Sequence, residues 1–267
     1  MITIDSLGFS WPLSAALFRG FSLEIGRGQT WAILGSSGCG KTSLLTLIAG
    51  LHHPQEGEIR IDGNRVTRPR PRTGLILQDY GLLPWATVRE NAALGFRLRA
   101  FYGPDGVHAP KVTTMPNKQD TTGEVDRWLA RLDIAAIAGR YPAEISGGQR
   151  QRTAIARTLA LGPDLLLMDE PFSSLDALTR EDLQELTLEL CREGGLTLVI
   201  VTHSIEEAVR VGSRILVLGS PPNREARVVD NSAFGKGLGT EYREACAELR
   251  GVLQSASGAG IRQEAMA

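Results

Sequence analysis

A glycine-rich segment near the start of the chain has the residue types and spacing that phosphate binding requires. Residues 35–42 read GSSGCGKT, which fits the pattern G-x-x-x-x-G-K-[ST], and they follow an apolar run and precede the helix-like TSLLTLIAG. Glycines let successive backbone N–H groups face an anion, Lys41 can lie against the β- and γ-phosphates, and the Thr42 hydroxyl can ligate Mg²⁺. A simple glycine turn would not need this strand-turn-helix setting, so we predict a phosphate-binding loop in which Cys39 is a small spacer.

Two adjacent carboxylates end a later apolar segment. Residues 164–172 read DLLLMDEPF, and strand periodicity explains the apolar residues but not the paired acids. An acid at the carboxyl end of a parallel strand lies at the sheet edge where α/β folds bind ligands. Asp169 is therefore predicted to hold Mg²⁺, and Glu170 to orient or deprotonate an attacking water. Two solvated acids would be an equally good interpretation of this segment alone, but not beside a phosphate loop.

A second glycine motif begins a helix in the middle of the chain. Residues 145–149 read ISGGQ and continue into the apolar-periodic RQRTAIARTLA. The N-terminus of such a helix is another anion-binding site. One nucleotide does not need two such sites on one chain, so we predict that this one contacts the nucleotide held by a second copy, in a homodimer.

The elements that must position these motifs alternate between strand and helix patterns. The capping pairs Thr87 with Glu90 and Ser204 with Glu207 predict two helix starts. Further helices are predicted at about residues 124–138, 178–193 and 241–253. Strands are predicted at residues 21–25, 31–34, 58–61, 74–77, 164–168, 196–201, 215–218 and 227–229. This alternation predicts a parallel sheet covered by helices on both faces.

Two segments have loop-like composition. Residues 103–123, rich in Gly, Pro and Thr, predict an exposed insertion, and the final SASGAGIRQEAMA predicts a disordered tail. The insertion contains NKQD at residues 117–120, which fits the guanine-specificity pattern N-K-x-D. Because it follows KVTTMP rather than a buried strand, we treat it as a chance match and predict that ATP is preferred over GTP.

Composition and charge limit the function classes. A net charge of −1 argues against nucleic acid as the main partner, and Arg65, Arg68, Arg70 and Arg72 are interpreted as a solvated loop. Three cysteines without metal-ligand spacing suit the reducing cytoplasm. The start of the chain lacks a targeting pattern, and no apolar run is long enough to cross a bilayer, so any crossing of a membrane is predicted to come from another chain.

From residue 11 to about residue 218, these motifs resemble the ATPase family of ABC transporters. GSSGCGKT is then the Walker A loop, ISGGQ the signature, and LLLMDE the Walker B strand. Gln78 in LILQDYGLLPW is the Q-loop glutamine, SSLD at residues 173–176 is the D-loop, and His203 in IVTHS is the switch histidine. Ile145 departs from the commoner Leu of the signature, a change that keeps the side-chain volume.

The resemblance implies roles for individual residues. Gln78 would contact Mg²⁺ and sense the permease, Glu170 would be the catalytic base, and His203 would contact the γ-phosphate. Trp11 would stack on adenine, with Phe9 as the alternative. The predicted catalytic residues are Lys41, Gln78, Glu170 and His203; the Mg²⁺ ligands are Thr42, Gln78 and Asp169; and the ATP-binding residues are Trp11, Gly35, Ser36, Ser37, Gly38, Cys39, Gly40, Lys41, Thr42, Ser43 and, toward the opposite ATP, Ser146, Gly147, Gly148 and Gln149.

The resemblance also implies a fold and its division. We expect an α/β P-loop NTPase fold with a mostly parallel core sheet, an antiparallel β subdomain and a helical signature subdomain. The ATP-binding domain is expected at residues 1–230, with the helical subdomain at about 87–160, followed by a C-terminal helix and disordered tail at 231–267.

The implied function is that of an ATP-hydrolysing subunit that drives a separate permease from the cytoplasmic face of the membrane. GLLPWATVRENAALG and VTHSIEEAVRVGSRILVL most resemble importer ATPases of the nitrate, sulfonate and taurine group, which also serve thiamine-precursor uptake. Such systems use a solute-binding protein, an indirect partner here. The alternatives are a lipid or drug exporter subunit, a non-transport ABC ATPase of DNA maintenance or translation, and a regulatory module that binds nucleotide without turnover.

Overall fold

The structure, a computed structural model, describes residues 1–102, 118–237 and 239–258. The chain forms two compact units. The first comprises Met1–Pro69, Leu167–Glu170 and Leu190–Ala267, and the second comprises Arg70–Leu166 and Pro171–Glu189.

The strands are β1 (Ile2–Ser10), β2 (Ala16–Ile25), β3 (Thr30–Gly35), β4 (Glu56–Ile61), β5 (Asn64–Arg65), β6 (Thr73–Ile76), β7 (Leu165–Asp169), β8 (Thr197–Thr202), β9 (Arg214–Leu218) and β10 (Arg227–Asp230). The helices are α1 (Lys41–Ile48), α2 (Val88–Ala92), α3 (Leu94–Tyr102), α4 (Lys118–Arg131), α5 (Gly147–Leu159), α6 (Ala177–Gly194), α7 (Ile205–Val211) and α8 (Thr240–Gly258).

The first unit contains an antiparallel sheet with the strand order β2-β1-β4-β5. Strand β1 was not predicted from the sequence. Its buried residues do not follow one alternation, because the register shifts between Ile4 and Leu7, where Ser6 has a φ of 49°. Such a bulge inserts an unpaired residue and interrupts the two-residue period on which strand prediction depends.

The core sheet of the first unit runs in the order β10-β9-β3-β8-β7. Strand β3 pairs in parallel with both β8 and β9, and β10 adds an antiparallel edge. Every residue of β3 and β8 is buried, as expected for parallel strands that are covered on both faces. Helix α1 packs on β8, α7 on β3, and α8 on α7 and β9. The predicted mostly parallel core sheet with an added antiparallel sheet is confirmed.

The second unit is mainly helical. Helix α5 packs on β6 and contacts α2, α3 and α4, while the N–H groups of Asp164 and Leu165 donate to the Arg72 carbonyl beside β6. The predicted capping box of α2 is confirmed, because Thr87 Oγ1 accepts from Glu90 N and Thr87 N donates to Glu90 Oε2. The assignment of residues 87–160 as one helical subdomain stays a prediction.

The two arginines of the arginine run that belong to the second unit, Arg70 and Arg72, differ from their predicted solvated state. Arg70 forms a bidentate ion pair with Asp164, whose side chain is buried, and Arg72 Nε lies 3.3 Å from the same carboxylate. A buried carboxylate requires such compensation. Part of the arginine run therefore anchors the start of β7 rather than facing solvent alone.

Several predicted helix boundaries were wrong. Helix α4 starts at Lys118, so the described residues of NKQD open a helix rather than lie in a loop; residue 117 and the rest of the insertion back to 103 lie outside the described residues. The same helix ends at Arg131 and not near 138, since Asp133 adopts a left-handed φ of 53°. Helix α8 continues to Gly258, into the segment predicted to be disordered, and residues 259–267 lie outside the described residues.

The second capping box was half right. Ser204 Oγ accepts from Glu207 N at 3.1 Å, but Glu207 Oε2 accepts from Thr202 Oγ1 instead of from the Ser204 backbone.

Over the described parts of the chain, none of the helices has the length and apolarity that a bilayer crossing demands.

Candidate functional site

The glycine-rich loop lies in the first unit between the buried strand β3 and helix α1. Gly38 and Gly40 have φ values of 80° and 106°, a left-handed conformation that glycine adopts without strain. A Cβ on Gly35 would lie 2.5 Å from Cys39 Sγ and 2.8 Å from the Leu218 carbonyl. The loop is therefore packed tightly from below, while Ser36, Ser37 and Gly38 are exposed.

Lys41 and Cys39 are the two buried side chains of the phosphate loop whose surroundings bear on its predicted role. The buried Lys41 ammonium donates to the carbonyls of Gly35 and Ser36 at 2.9 and 3.0 Å. Those two bonds fix its position at the mouth of the loop, and an ammonium carries three donors. Burial raises the pKa of the Cys39 thiol, which Lys41 offsets only in part. A protonated thiol in this position agrees with its interpretation as a spacer.

Thr42 and Asp169 come together from α1 and the end of β7. Thr42 Oγ1 donates to Asp169 Oδ1 at 3.2 Å. Burial raises the pKa of the Asp169 carboxyl, and Glu170 adds to the rise, while the Thr42 hydroxyl and Lys41 act in the opposite direction. The site therefore contains a hydroxyl and a largely desolvated carboxylate whose charge a cation would balance.

The Thr42 hydroxyl and the Asp169 carboxylate fit a Mg²⁺ site that water and phosphate complete, rather than a metal site whose ligands are all protein side chains. Within the described ranges, no cluster of three or more His, Cys, Asp or Glu side chains could ligate a metal. Mg²⁺ usually keeps several waters and is held by one or two carboxylates together with substrate phosphates. A hydroxyl and one carboxylate beside a phosphate loop match that donor set.

Glu170 and His203 lie one residue beyond the ends of β7 and β8. His203 Nδ1 is 3.0 Å from Glu170 Oε2, with side chains 60% and 20% exposed. The Glu170 N–H donates to the Val201 carbonyl at 2.9 Å, and its φ is 43°. A non-glycine residue in this left-handed region is uncommon and is maintained by its surroundings. The backbone thus directs the Glu170 carboxylate toward His203.

Asn223 supports the loop and was not predicted from the sequence. Its buried amide donates to the Cys39 carbonyl at 2.9 Å and to the Leu17 carbonyl at 3.2 Å, and its Oδ1 accepts from Gly219 N at 2.9 Å. The side chain therefore joins β2, the phosphate loop and the end of β9. The only sequence signal is the turn-like SPPN, which does not indicate that Asn223 is buried against residues more than 180 positions away.

The two aromatic candidates for adenine stacking differ in exposure. Phe9 is 7% exposed and belongs to the core, whereas Trp11 is 38% exposed. Trp11 Nε1 donates to Ser43 Oγ at 3.0 Å, which ties the indole to the helix that follows the phosphate loop. Trp11 therefore presents the accessible ring, and Phe9 supports it edge-on with ring centres 5.3 Å apart. The stacking role itself stays a prediction.

In the second unit, the signature serine begins α5 through a capping box. Ser146 Oγ accepts from Gln149 N at 3.2 Å, and Ser146 N donates to Gln149 Oε1 at 3.0 Å. The pattern S-x-x-Q could have revealed this pairing in the sequence. The bond from Gln149 N uses a lone pair of the Ser146 oxygen, and the separate O–H donor can serve an acceptor such as a phosphate oxygen. A Cβ on Gly148 would lie 2.5 Å from Thr179 Cγ2, so this glycine packs closely against α6.

Gln78 and the SSLD segment also belong to the second unit. Gln78 is exposed and lies two residues beyond β6. Asp176 Oδ1 accepts from Thr179 N at 3.1 Å, and this bond lowers the pKa of the Asp176 carboxyl. Ser173 and Ser174 precede it and are exposed.

The predicted site residues thus fall into two groups. The first unit brings together the phosphate loop with Trp11, Ser43, Asp169, Glu170 and His203. The second unit contains Gln78, Ser146, Gly147, Gly148 and Gln149. The contact of Gln78 with Mg²⁺ stays a prediction, as do the roles of the signature residues.

Comparisons with known proteins show the family of the chain. The sequence profile described as ABC transporter matches residues 18–173, more than half of the chain. The chain is 43% identical over 201 residues to the nitrate import ATP-binding protein of Synechococcus elongatus, covering 75% of this chain but 28% of that protein. It is 39% identical over 209 residues to the taurine import ATP-binding protein of Pseudomonas aeruginosa, covering 78% and 74% of the two chains.

A solved structure shares the fold. It is the dimeric structure of an ATP-binding cassette in a post-hydrolysis state, bound to ADP and Pi. The TM-score is 0.71 at 28% identity, with 86% of this chain and 98% of that chain covered. The chain spans less than a third of the length of the nitrate relative.

Proposed function

Because the chain belongs to the ABC transporter family of ATP-binding proteins, we propose that it binds and hydrolyses ATP to energise import of a small solute through a separate permease. One observation carries the proposal. The first unit joins a phosphate loop to the Thr42 and Asp169 pair and to the Glu170 and His203 pair, which are the parts that phosphoryl transfer to water requires.

In this proposal, the phosphate loop holds the triphosphate. The backbone from Gly35 to Gly40 and the N-terminus of α1 face the phosphate oxygens, and Lys41 lies against the β- and γ-phosphates. Trp11 stacks on adenine. Thr42 and Asp169 would hold Mg²⁺, with Gln78 as a further proposed ligand, and the bound ion would neutralise charge on the phosphates.

Glu170 orients the attacking water and accepts its proton at a carboxylate oxygen. The same carboxylate holds His203, whose imidazole would contact the γ-phosphate. The contact with His203 Nδ1 limits the orientations of the Glu170 carboxylate, which favours productive alignment of the attacking water.

We further propose that two copies enclose two ATP molecules. Ser146, Gly147, Gly148 and Gln149 of one copy would bind the γ-phosphate held by the phosphate loop of the other, so neither copy completes a site alone. The dimeric cassette with bound ADP and Pi supports this assembly. The available hydrogen of the Ser146 hydroxyl supports the role of the signature.

The permease is proposed to dock on the second unit beside Gln78. Leu77 and Trp85, which flank this region in sequence, are 40% and 72% exposed. A groove of about 280 Å³ next to β6 is lined by apolar side chains that include Leu94, Leu98 and Leu161. Exposed apolar surface of this kind marks interaction sites, and a cytoplasmic helix of the permease is its proposed occupant. The protein would then be peripheral to the cytoplasmic face of the membrane.

The proposed cargo is a small solute of the nitrate, sulfonate or taurine type, with thiamine precursors as the related possibility. The names of the nitrate and taurine relatives support import rather than export. Because recognition of cargo in such systems involves other chains, a solute-binding protein is the proposed indirect partner.

Phosphate release by the purified protein tests the activity. We expect Mg²⁺-dependent hydrolysis of ATP in preference to GTP, and a dimer in the presence of ATP when Glu170 is replaced by Gln. Co-purification with a multi-spanning membrane protein supports transport, and the direction of flux in reconstituted vesicles separates an importer from an exporter. A protein that binds ATP without releasing phosphate would be a regulatory module instead.

A further inference from the structure

In the second unit, the side chain of Tyr80 lies between the SSLD segment and the signature, and the proposed function assigns the signature to the partner copy's ATP. The Tyr80 hydroxyl is 2.6 Å from Ser174 Oγ in the SSLD segment. A Cβ on Gly147 would lie 3.7 Å from the same hydroxyl, so Tyr80 also packs beside the first glycine of the signature. Tyr80 is 8% exposed, while Ser174 is at the surface. The buried Tyr80 side chain therefore contacts both segments from the interior of the second unit.

The backbone of Tyr80 is held in an unfavourable conformation by α5. Tyr80 has a φ of 65°, and the following Gly81 has a φ of 57°. A bulky residue rarely adopts this region unless its surroundings maintain it. Arg157, on α5, donates to the Tyr80 carbonyl at 2.8 Å and to the Gly81 carbonyl at 2.6 Å. The segment that follows Gln78 is thereby attached to the helix that begins with the signature.

A third contact joins the Tyr80 ring to the residues just before Ser146. The Arg150 guanidinium carbon lies 5.9 Å from the ring centre, within the distance of a cation–π contact. Arg150 Nη1 also donates to the Ile145 carbonyl at 3.1 Å. The ring is thus linked through one arginine to the backbone that positions the signature serine.

We propose that Tyr80 is a positioning residue that ties Ser174 and the signature to the segment after Gln78, so that a displacement of this segment is transmitted to the site for the partner copy's ATP. This inference rests on the proposed ATP-dependent dimer. Gln78 precedes Tyr80 by two residues and is exposed where the permease is proposed to dock, so Tyr80 connects the docking surface to the dimer interface within a single unit.

The test compares Tyr80→Phe, Ser174→Ala and the double variant, each with and without Glu170→Gln. Tyr80→Phe removes only the hydroxyl. The matched control is Tyr141→Phe, because Tyr141 belongs to the same unit and is 45% exposed. Three quantities are measured: the affinity of the monomer for a fluorescent ATP analogue, the ATP concentration that gives half-maximal dimer in the Glu170→Gln background, and kcat with KM in the Glu170 background.

We expect Tyr80→Phe to raise the ATP concentration needed for dimerisation and to lower kcat by about three- to tenfold, the effect of losing one hydrogen bond. Monomer affinity for the analogue should change less than about twofold, since in the proposed function the signature contacts only the ATP held by the partner copy. Ser174→Ala should reproduce both effects, and the double variant should be no worse than either single one, because both changes remove the same bond.

The outcomes separate this inference from the proposal beneath it. If the Glu170→Gln parent remains monomeric with ATP, both the proposed dimer and the role of Tyr80 are wrong. If the parent forms the dimer and Tyr80→Phe forms it at the same ATP concentration and with the same kcat, only the role of Tyr80 is wrong. Additive effects in the double variant would likewise overturn it, because they would show that the two hydroxyls act separately.

Discussion

His203 Nδ1 lies 3.0 Å from Glu170 Oε2, although the two residues follow different strands of the core sheet. The hydrogen bond that the backbone N–H of Glu170 donates to the Val201 carbonyl keeps the ends of these strands together. The imidazole and the carboxylate therefore limit each other's orientation. The proposed base, Glu170, and the residue proposed to contact the γ-phosphate, His203, are expected to act together.

Replacing Glu170 by Gln should lower kcat for ATP by about 10²- to 10⁴-fold, the usual contribution of a general base. The amide keeps the size of the side chain, so ATP affinity should remain within a few-fold of the parent. His203→Ala should also lower kcat, and the double variant should be little worse than Glu170→Gln, since residues that act as a unit are non-additive. Steady-state phosphate release and nucleotide binding measure both effects. Near-normal turnover of Glu170→Gln would remove Glu170 from its proposed role.

Asp169→Asn should stabilise the nucleotide-free protein at pH 7 while weakening Mg²⁺-dependent ATP binding. Burial raises the pKa of Asp169 above its ordinary 3.8, so the folded protein binds this proton more tightly than the unfolded chain does. The buried charge lowers the free energy of unfolding. This cost is absent below the ordinary pKa, develops as pH rises through the raised pKa of the folded protein, and is complete above that raised pKa.

Thermal melts of Asp169→Asn and the parent without nucleotide check this prediction. The variant should melt at a higher temperature at pH 7, and the difference should shrink as pH falls below about 4. Asp182→Asn, at an exposed position of α6, is the control and should show neither change. A variant less stable than the parent at pH 7 would contradict the assigned cost of the Asp169 charge.

Asn223→Asp should weaken ATP binding although Asn223 does not belong to the phosphate loop. A carboxylate cannot donate to the carbonyls of Leu17 and Cys39. The Leu17 carbonyl keeps its bond from the backbone N–H of residue 223, but the Cys39 carbonyl would face the carboxylate without its amide donor. We expect the free energy of unfolding to fall by about 1–3 kcal/mol or more and ATP affinity to fall about tenfold.

The matched control is Asn64→Asp, which makes the same change at an exposed position of the same unit. Calorimetric titration with ATP at a temperature where both variants are folded separates affinity from stability. Unchanged ATP affinity in a destabilised but folded Asn223→Asp protein would show that the contact with Cys39 does not position the loop.

The cap of α2 gives a prediction about stability and pH. Thr87→Ala should lower the free energy of unfolding by about 0.5–2 kcal/mol, and Thr87→Ser should restore most of it. The backbone N–H of Thr87 lowers the pKa of Glu90 below its ordinary 4.5. A carboxyl with a depressed folded pKa stabilises the protein above the unfolded pKa, and this contribution is lost as pH falls through the folded pKa.

Urea titrations across pH measure this contribution. Glu90→Gln should be less stable than the parent at pH 7, and the difference should diminish below about pH 4.5. A difference that stays constant down to pH 3 would show that ionisation of Glu90 contributes nothing to the cap.

Local features of the fold and site were predictable because their signals lie within a few neighbouring residues. The phosphate loop combines a buried strand, a glycine turn and a helix start in one segment, and the Thr87 cap needs only Glu90 three residues later. The matches to the ABC transporter profile and to a solved cassette confirm the predicted family and fold.

Features that depend on contacts between distant residues were not predictable. Strand β1 is interrupted by a bulge, Asn223 reaches Cys39 across 184 positions, and Tyr80 meets Ser174 across 94. In each case the residue type is compatible with an ordinary turn or core position, and only the folded chain brings its partner close. The predicted start of α4 was wrong because its first turn has the composition of a loop, so the residue types there do not indicate a helix.

The path of the chain through β7 places the proposed chemistry at a covalent junction. Leu167–Glu170 belongs to the first unit, while the residues on both sides of it belong to the second. Glu170 is therefore one peptide bond from Pro171, where the polypeptide leaves one body for the other. The chain also changes unit after Pro69, Leu166 and Glu189, so the proposed catalytic base adjoins one of the four covalent connections between the two units.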